Sequence, residues 1–190
     1  MTENQLHFTL NSNRLSKAQI NQLVDELVNY PELIENLLQE VFDEDKKDSF
    51  NASWTFDHLM RKKLVYLLPH FESFTRGLAG LTSESTIRPM AHVCEMSMEA
   101  YFKTKDPVFV QNITPEQLER ILTICFDWFI GEHKVAPKVF SMSSLYYLGF
   151  KFDWVHPELK MILEQQAHEG TAAYKSRASK TLSKLRKLGF

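Results

Sequence analysis

The sequence predicts an all-α fold, a right-handed α-solenoid of stacked antiparallel helix pairs closed by a C-terminal capping helix. Three observations predict it. A helix-start signature recurs four times, as Tyr30-Pro31-Glu32-Leu33, Leu68-Pro69-His70-Phe71, Thr114-Pro115-Glu116-Gln117 and His156-Pro157-Glu158-Leu159. Proline suits the first helical position, where its missing N–H would have had no partner, and an acid beside it meets the positive end of the helix dipole. The four prolines fall 38, 46 and 42 residues apart, room for two helices per period. Between them apolar residues recur at helical spacing, and no segment alternates polar with apolar long enough to make a strand.

A period of this size with two helices in it marks an array of HEAT or armadillo type. Residues 1–15 are polar and weakly periodic, a tail expected to be loose or partly docked, and a single repeat domain fills 16–190. Its first pair, about 16–48, opens at Ser16 with the stripe Ile20, Leu23, Val24 and Leu27. It resumes at Pro31 with Leu33, Ile34, Leu37, Leu38 and Val41, and stops in the charged run Asp43 to Asp48. The second, about 49–82, carries Trp54, Leu59, Met60 and Leu67, then Phe71, Phe74 and Leu78. Gly77 and Gly80 there either weaken the helix or let another approach closely. The third, about 83–132, begins with Ile87, Met90, Ala91, Cys94 and Met98, followed by an irregular connection over 103–113. Thr114 and Gln117 then form a capping box for a helix with Leu118, Ile121, Leu122, Cys125, Trp128 and Phe129 on one side. The fourth, about 133–169, opens with a helix that is apolar around most of its circumference, the pattern of a buried helix. Its Pro157 partner stops at Gly170, and the cap over 171–187 turns Tyr174, Ala178, Leu182 and Leu185 inward.

Composition narrows the function classes. With 44% hydrophobic and 24% charged residues, a chain of 190 is ordinary for a soluble domain with a sizeable core. No secretory signal and no membrane-length apolar run is present, so a cytoplasmic protein with no membrane contact is expected. Cys94 and Cys125 lie in apolar stripes and read as reduced core residues. None of His7, His58, His70, His92, His133, His156 and His168 has a ligand-like spacing to another histidine or to a cysteine, so neither metal nor cofactor is expected. Asp57 and His58 are neighbours on a helix and therefore point apart. Six glycines assemble neither a phosphate-binding loop nor a GxSxG elbow, so no catalytic residue is assigned. The net charge of −2 conceals −6 over 1–48 and +4 over 49–190, and no acid follows Gly170.

The segments Arg88-Pro89-Met90-Ala91-His92-Val93-Cys94-Glu95, Cys125-Phe126-Asp127-Trp128, Asp153-Trp154-Val155-His156-Pro157-Glu158-Leu159 and Ala172-Ala173-Tyr174-Lys175-Ser176-Arg177-Ala178 resemble a small bacterial family of HEAT-like helical-repeat proteins. The likeness runs from about residue 20 to the end and implies the same fold. Members of that family often carry the label adenylosuccinate lyase, which makes lyase activity a third expectation, implied by the label alone. Lyases of that name are similar to much longer chains with a serine in a Gly-rich, Met-containing loop, whereas Ser141-Met142-Ser143-Ser144 falls inside a predicted helix.

The leading expectation is a non-enzymatic protein–protein interaction or scaffold module that uses one face of the solenoid. Arg120, Thr123 and Asp127 recur at i, i+3 and i+7 on the polar edge of the Pro115 helix. Glu35 and Gln39, Glu72 and Arg76, and Glu164 and Gln165 would continue that row across successive Pro-started helices. A row of mixed charge suits a protein or peptide, whereas a groove that tracks phosphates should be predominantly basic. The alternative is a nucleic-acid-binding protein related to HEAT-like DNA glycosylases, with Lys134, Lys138, Lys175, Arg177, Lys180 and Lys184 on phosphates and Asp127 beside Trp128 at a base. Its plainer counterpart puts Trp54, Trp128 and Trp154 in the core and the terminal bases on a solvated cap.

Overall fold

The computed structural model describes residues 1–43, 49–166 and 170–190, and among these every regular element is helical. In chain order the α-helices are α1 (Glu3–Ser12), α2 (Lys17–Leu27), α3 (Ile34–Phe42), α4 (Phe50–Lys63), α5 (Phe71–Gly77), α6 (Glu84–Met98), α7 (Pro107–Asn112), α8 (Pro115–Ile130), α9 (Val135–Leu148), α10 (Val155–Gln166) and α11 (Ala172–Lys187). The all-α solenoid is therefore as the repeats predict. Capping boxes at Ser16 and Thr114 start α2 and α8, each hydroxyl accepting from the N–H of Gln19 or Gln117 while the glutamine side chain accepts in return. Pro115 takes the first position of α8. Pro31 opens a 3-10 turn that leads into α3, Pro69 lies in the 3-10 stretch Leu64–His70 before α5, and Pro157 is the third residue of α10. The first-turn N–H groups of a helix lack partners inside it, so a proline anywhere in that turn costs no hydrogen bond.

The helices form two layers. α2, α4, α6, α9 and α11 stack side by side in one, while α3, α5 and α8 follow one another in the other and α10 packs on α9 and α11. α3 leans on α4 and α8 on α9, the helices that follow them, because a start signal locates a helix without naming its neighbour. The α2–α11 layer has the closer helix-to-helix packing of the two, and it is termed the inner layer. Each helix buries one stripe, such as Ile20, Leu23, Val24 and Leu27 of α2 or Ile34, Leu37, Leu38 and Val41 of α3. Full burial of each such side chain stabilises by about 1.5–3 kcal/mol relative to exposure. α9 is wrapped by α6, α8, α10 and α11, and its residues 141–145 are all buried in succession, as the all-round apolar pattern requires.

Four expectations are corrected. Residues 1–15 are not a loose tail, for α1 has its own capping box at Thr2, buries Leu6 and Leu10, and is tied down by Asn51 of α4. The Asn51 amide donates to Leu10 O (2.9 Å) and Asn13 O (2.8 Å) and accepts from Leu15 N (2.9 Å). The connection over 103–113 is not irregular throughout. α6 runs on into a π-helical turn (Glu99–Lys103), and Asp106, accepting from Val108 N at 3.0 Å, caps α7, which buries Phe109. The helix that opens the fourth pair, α9, expected to be buried around most of its circumference, leaves Tyr146 half-buried on the wall of a pocket. Of the tryptophans only Trp128 is in the core, 2% exposed; Trp54 is half-buried on the solvent stripe of α4, and Trp154 is 56% exposed, its ring 5.3 Å from that of Phe126. A broad flat ring can cover one face against a single neighbour and leave the other in water. The charged stop over 44–48 and the helix end over 167–169, with His168, lie outside the described residues.

Candidate functional site

On the Pro-started layer, α5 and α8 bring together most of the row foreseen in the sequence. Glu72 accepts from Arg76 Nε at 2.6 Å, Arg120 Nη1 at 2.7 Å and Gln117 Nε2 at 3.1 Å, and Arg120 Nη1 also donates to Thr75 Oγ1 at 3.2 Å. These bonds, Arg120's first, hold the Glu72 carboxyl down to about 2. Arg76, Arg120, Thr123 and Asp127 line a depression of about 580 Å³ beside it, with Glu116 and Glu119. Glu35 is one helix away and bonded to His70 Nδ1 at 2.7 Å, and Glu164 on α10 pairs with Lys160 at 3.8 Å. Glu72 and Arg120 therefore staple α5 to α8. Asp127 is exposed while Trp128 is buried, so this acid and this ring do not share a pocket.

The inner layer has the opposite electrostatics. Its five helices, with the π-helical turn, carry thirteen Lys and Arg against six Asp and Glu, while the Pro-started segments 31–42, 71–77, 115–130 and 155–166 carry three against nine. Stripes of α4, α6, α9 and α11 line two pockets on this basic face, set along α6 with the His92–Phe140 contact between them and together termed the groove. At one end the guanidinium of Arg14 lies 3.7 Å from the centre of the Phe50 ring and that of Arg88 lies 4.9 Å from Trp54, with the two rings 5.5 Å apart. Lys134 and the start of α9 complete a pocket of about 410 Å³ there. At the other end α6, α9 and α11 enclose about 380 Å³. In it Arg177 Nη1 donates to Glu95 (2.9 Å) and Ser143 Oγ (2.6 Å), Lys103 pairs with Glu99, and the Lys184 ammonium sits 4.9 Å over the Tyr146 ring. Burial, then the nearby charges of Arg177 and Lys103, lowers the Lys184 pKa below the usual lysine value.

The middle of the groove holds a pairing that no sequence spacing announces. Asp57, 1% exposed, binds Arg61 Nη2 at 2.6 Å and His92 Nδ1 at 2.6 Å, and the His92 ring packs 4.7 Å from that of Phe140. The sequence places Asp57 beside His58, but the side chain that reaches it comes from the next helix of the layer. His58 instead approaches Asn21 Oδ1 at 3.1 Å, and burial, then Arg61, lowers its pKa. Lys134, Arg177, Lys180 and Lys184 line the groove, whereas Lys138 and Lys175, each two positions or about 200° around the helix from Ala136 or Arg177, face elsewhere. Ser143 and Ser144 lie inside α9, not on a loop, with their hydroxyls bonded back to Val139 O and Phe140 O, both at 3.2 Å. Among the described residues no group of three or more His, Cys, Asp and Glu is placed to hold a metal ion, and no helix is long and apolar enough to cross a membrane.

Two layers of helices stacked around a lined inner groove define a helical-repeat binding scaffold. The HEAT repeat domain family matches residues 8–104, just over half of the chain, and the chain belongs to that family. Comparison with curated proteins and with solved structures found no match.

Proposed function

We propose that this HEAT-repeat chain is a non-catalytic interaction module that holds an extended, acidic segment of a partner protein in the inner groove. The observation that carries this reading is the segregation of charge, basic on the inner layer and acidic on the Pro-started layer. It moves the partner surface from the Glu72–Arg120 row, whose charges already bond one another, to the face where cations rest on aromatic rings. The choice of polypeptide over nucleic acid follows from the spacing of those cations. Glu84, Glu95 and Glu99 are set among the bases and bonded to His133, Arg177 and Lys103. The cations with no carboxylate partner among the described residues, Arg88 and Lys134 at one end and Lys180 and Lys184 at the other, stand as separate points with His92 and Phe140 between them. Carboxylates spaced along a peptide can meet such points, while a strand of contiguous phosphates calls for an unbroken basic track.

The test is fluorescence anisotropy with a labelled acidic peptide of alternating Glu and aromatic residues, a single-stranded oligonucleotide and a duplex, each at two salt concentrations. Peptide binding that exceeds both nucleic acids at the higher salt supports the reading. Tighter binding of either nucleic acid, with a steep salt dependence, overturns it in favour of the phosphate-tracking alternative.

A further inference from the structure

We propose that the pocket enclosed by α6, α9 and α11 is a subsite for a phosphate monoester dianion. The fold leaves two positive charges there without a carboxylate partner among the described residues. Of the four cations lining the pocket, Lys103 is matched by Glu99 and Arg177 by Glu95, but Lys180 and Lys184, one helical turn apart on α11, have no carboxylate partner among the described residues. Lys184, although exposed on α11, leans its ammonium over the Tyr146 ring. Holding it there costs solvation and sets it against Arg177 and Lys103, which is why its pKa falls. A bound anion relieves both penalties, and two unpaired ammonium groups match a phosphate monoester, which carries nearly two negative charges at neutral pH.

The donors surround such a ligand from three helices. Arg177 uses Nη1 on Ser143 and Glu95, and its guanidinium has further N–H groups free for a bidentate phosphate contact. Glu95 therefore fixes the guanidinium plane as well as partly neutralising it. Opposite, His92 lines the pocket with its Nδ1 engaged by the buried Asp57. The space of about 380 Å³ suits a small carrier with its phosphate and lies at the lower end of ordinary ligand pockets. The same chemistry has two sources, a free phosphate ester or a phosphorylated side chain of the segment docked in the groove. This inference rests on the groove reading only for the second source.

Isothermal titration of the full chain with O-phosphoserine, with sulfate, and with one acidic peptide carrying or lacking a single phosphoserine tests it. The expected result is that O-phosphoserine binds more tightly than sulfate, and that phosphorylation tightens the peptide by about tenfold. Both effects should vanish in Lys180→Ala/Lys184→Ala, while the melting temperature and helical circular dichroism stay unchanged. If free O-phosphoserine binds as well as the phosphopeptide, the site serves a free ester; if the phosphopeptide is much tighter, it serves the docked chain. Loss of binding by the unmodified peptide with O-phosphoserine binding intact sinks the groove reading and leaves the subsite standing. The subsite is overturned if phosphate gives no advantage over sulfate, or if the double variant binds O-phosphoserine as the natural chain does.

Discussion

At the scale of single residues, the polar side chains divide into those spent on holding helices together and those left available. Glu72 belongs to the first group. Its carboxyl is depressed to about 2 from an ordinary value of 4.5, so its contribution to stability is complete above 4.5 and is lost as pH falls toward 2. Denaturant unfolding of the natural chain and of Glu72→Gln should therefore differ at neutral pH and converge between those two values. A gap that persists below pH 2 would place the effect in packing instead of charge. Cys94 and Cys125 are buried, and burial, then the hydrogen bond of the Cys94 thiol to Cys125, pushes that thiol well above its usual range. Both should resist a thiol reagent in the native state and react only at the rate of opening; prompt labelling of either would contradict their burial. Helical spacing made the two cysteines legible as core residues. The Asp57–His92 pair was not legible, because its partners are 35 residues apart and meet only once α4 and α6 are stacked.

At the scale of elements, caps and breakers carry most of the legible signal. Ser16, Thr114 and the first-turn prolines act within four residues of their own helix, so the chain around them is enough to read. α1 and α7 were missed for a matching reason. The stripe of α1 has only Leu6 and Leu10 buried, and α7 is six residues long, so neither repeats a pattern long enough to stand out. Replacing Thr114 with Ala removes the acceptor for Gln117 N and should lower stability by about 1 kcal/mol, measured by chemical denaturation. Gly77, by contrast, is needed for a close approach, since a Cβ there would stand 2.5 Å from Phe42 Cδ2 of α3. Gly77→Ala should cost more than the cap variant despite the higher helix propensity of alanine, on the order of 1–3 kcal/mol for an overpacked contact. A stabilised Gly77→Ala protein would mean that Phe42 moves aside freely.

At the scale of the whole molecule, the repeat period fixes the stack and the sign of charge distinguishes its two sides. The sequence shows the excess of bases after Gly170, but their direction depends on which face of α11 the core takes. Tyr174, Ala178, Leu182 and Leu185 turn inward, and that choice brings Arg177, Lys180 and Lys184 over α9 and α6 while Lys175 looks away. The row on the Pro-started helices was likewise visible as a row, yet its bonding to itself through Glu72 was not, because those bonds cross from one repeat to the next. The central claim is that partners bind the inner groove. It is tested most directly by anisotropy titration of the labelled acidic peptide against two charge-reversed variants of equal melting temperature. Arg88→Glu/Lys134→Glu alters the groove, and Glu119→Lys/Asp127→Lys alters the opposite layer. The first variant should weaken binding by at least about tenfold and the second by less than about twofold. Retained binding in the first variant, with loss in the second, would contradict it.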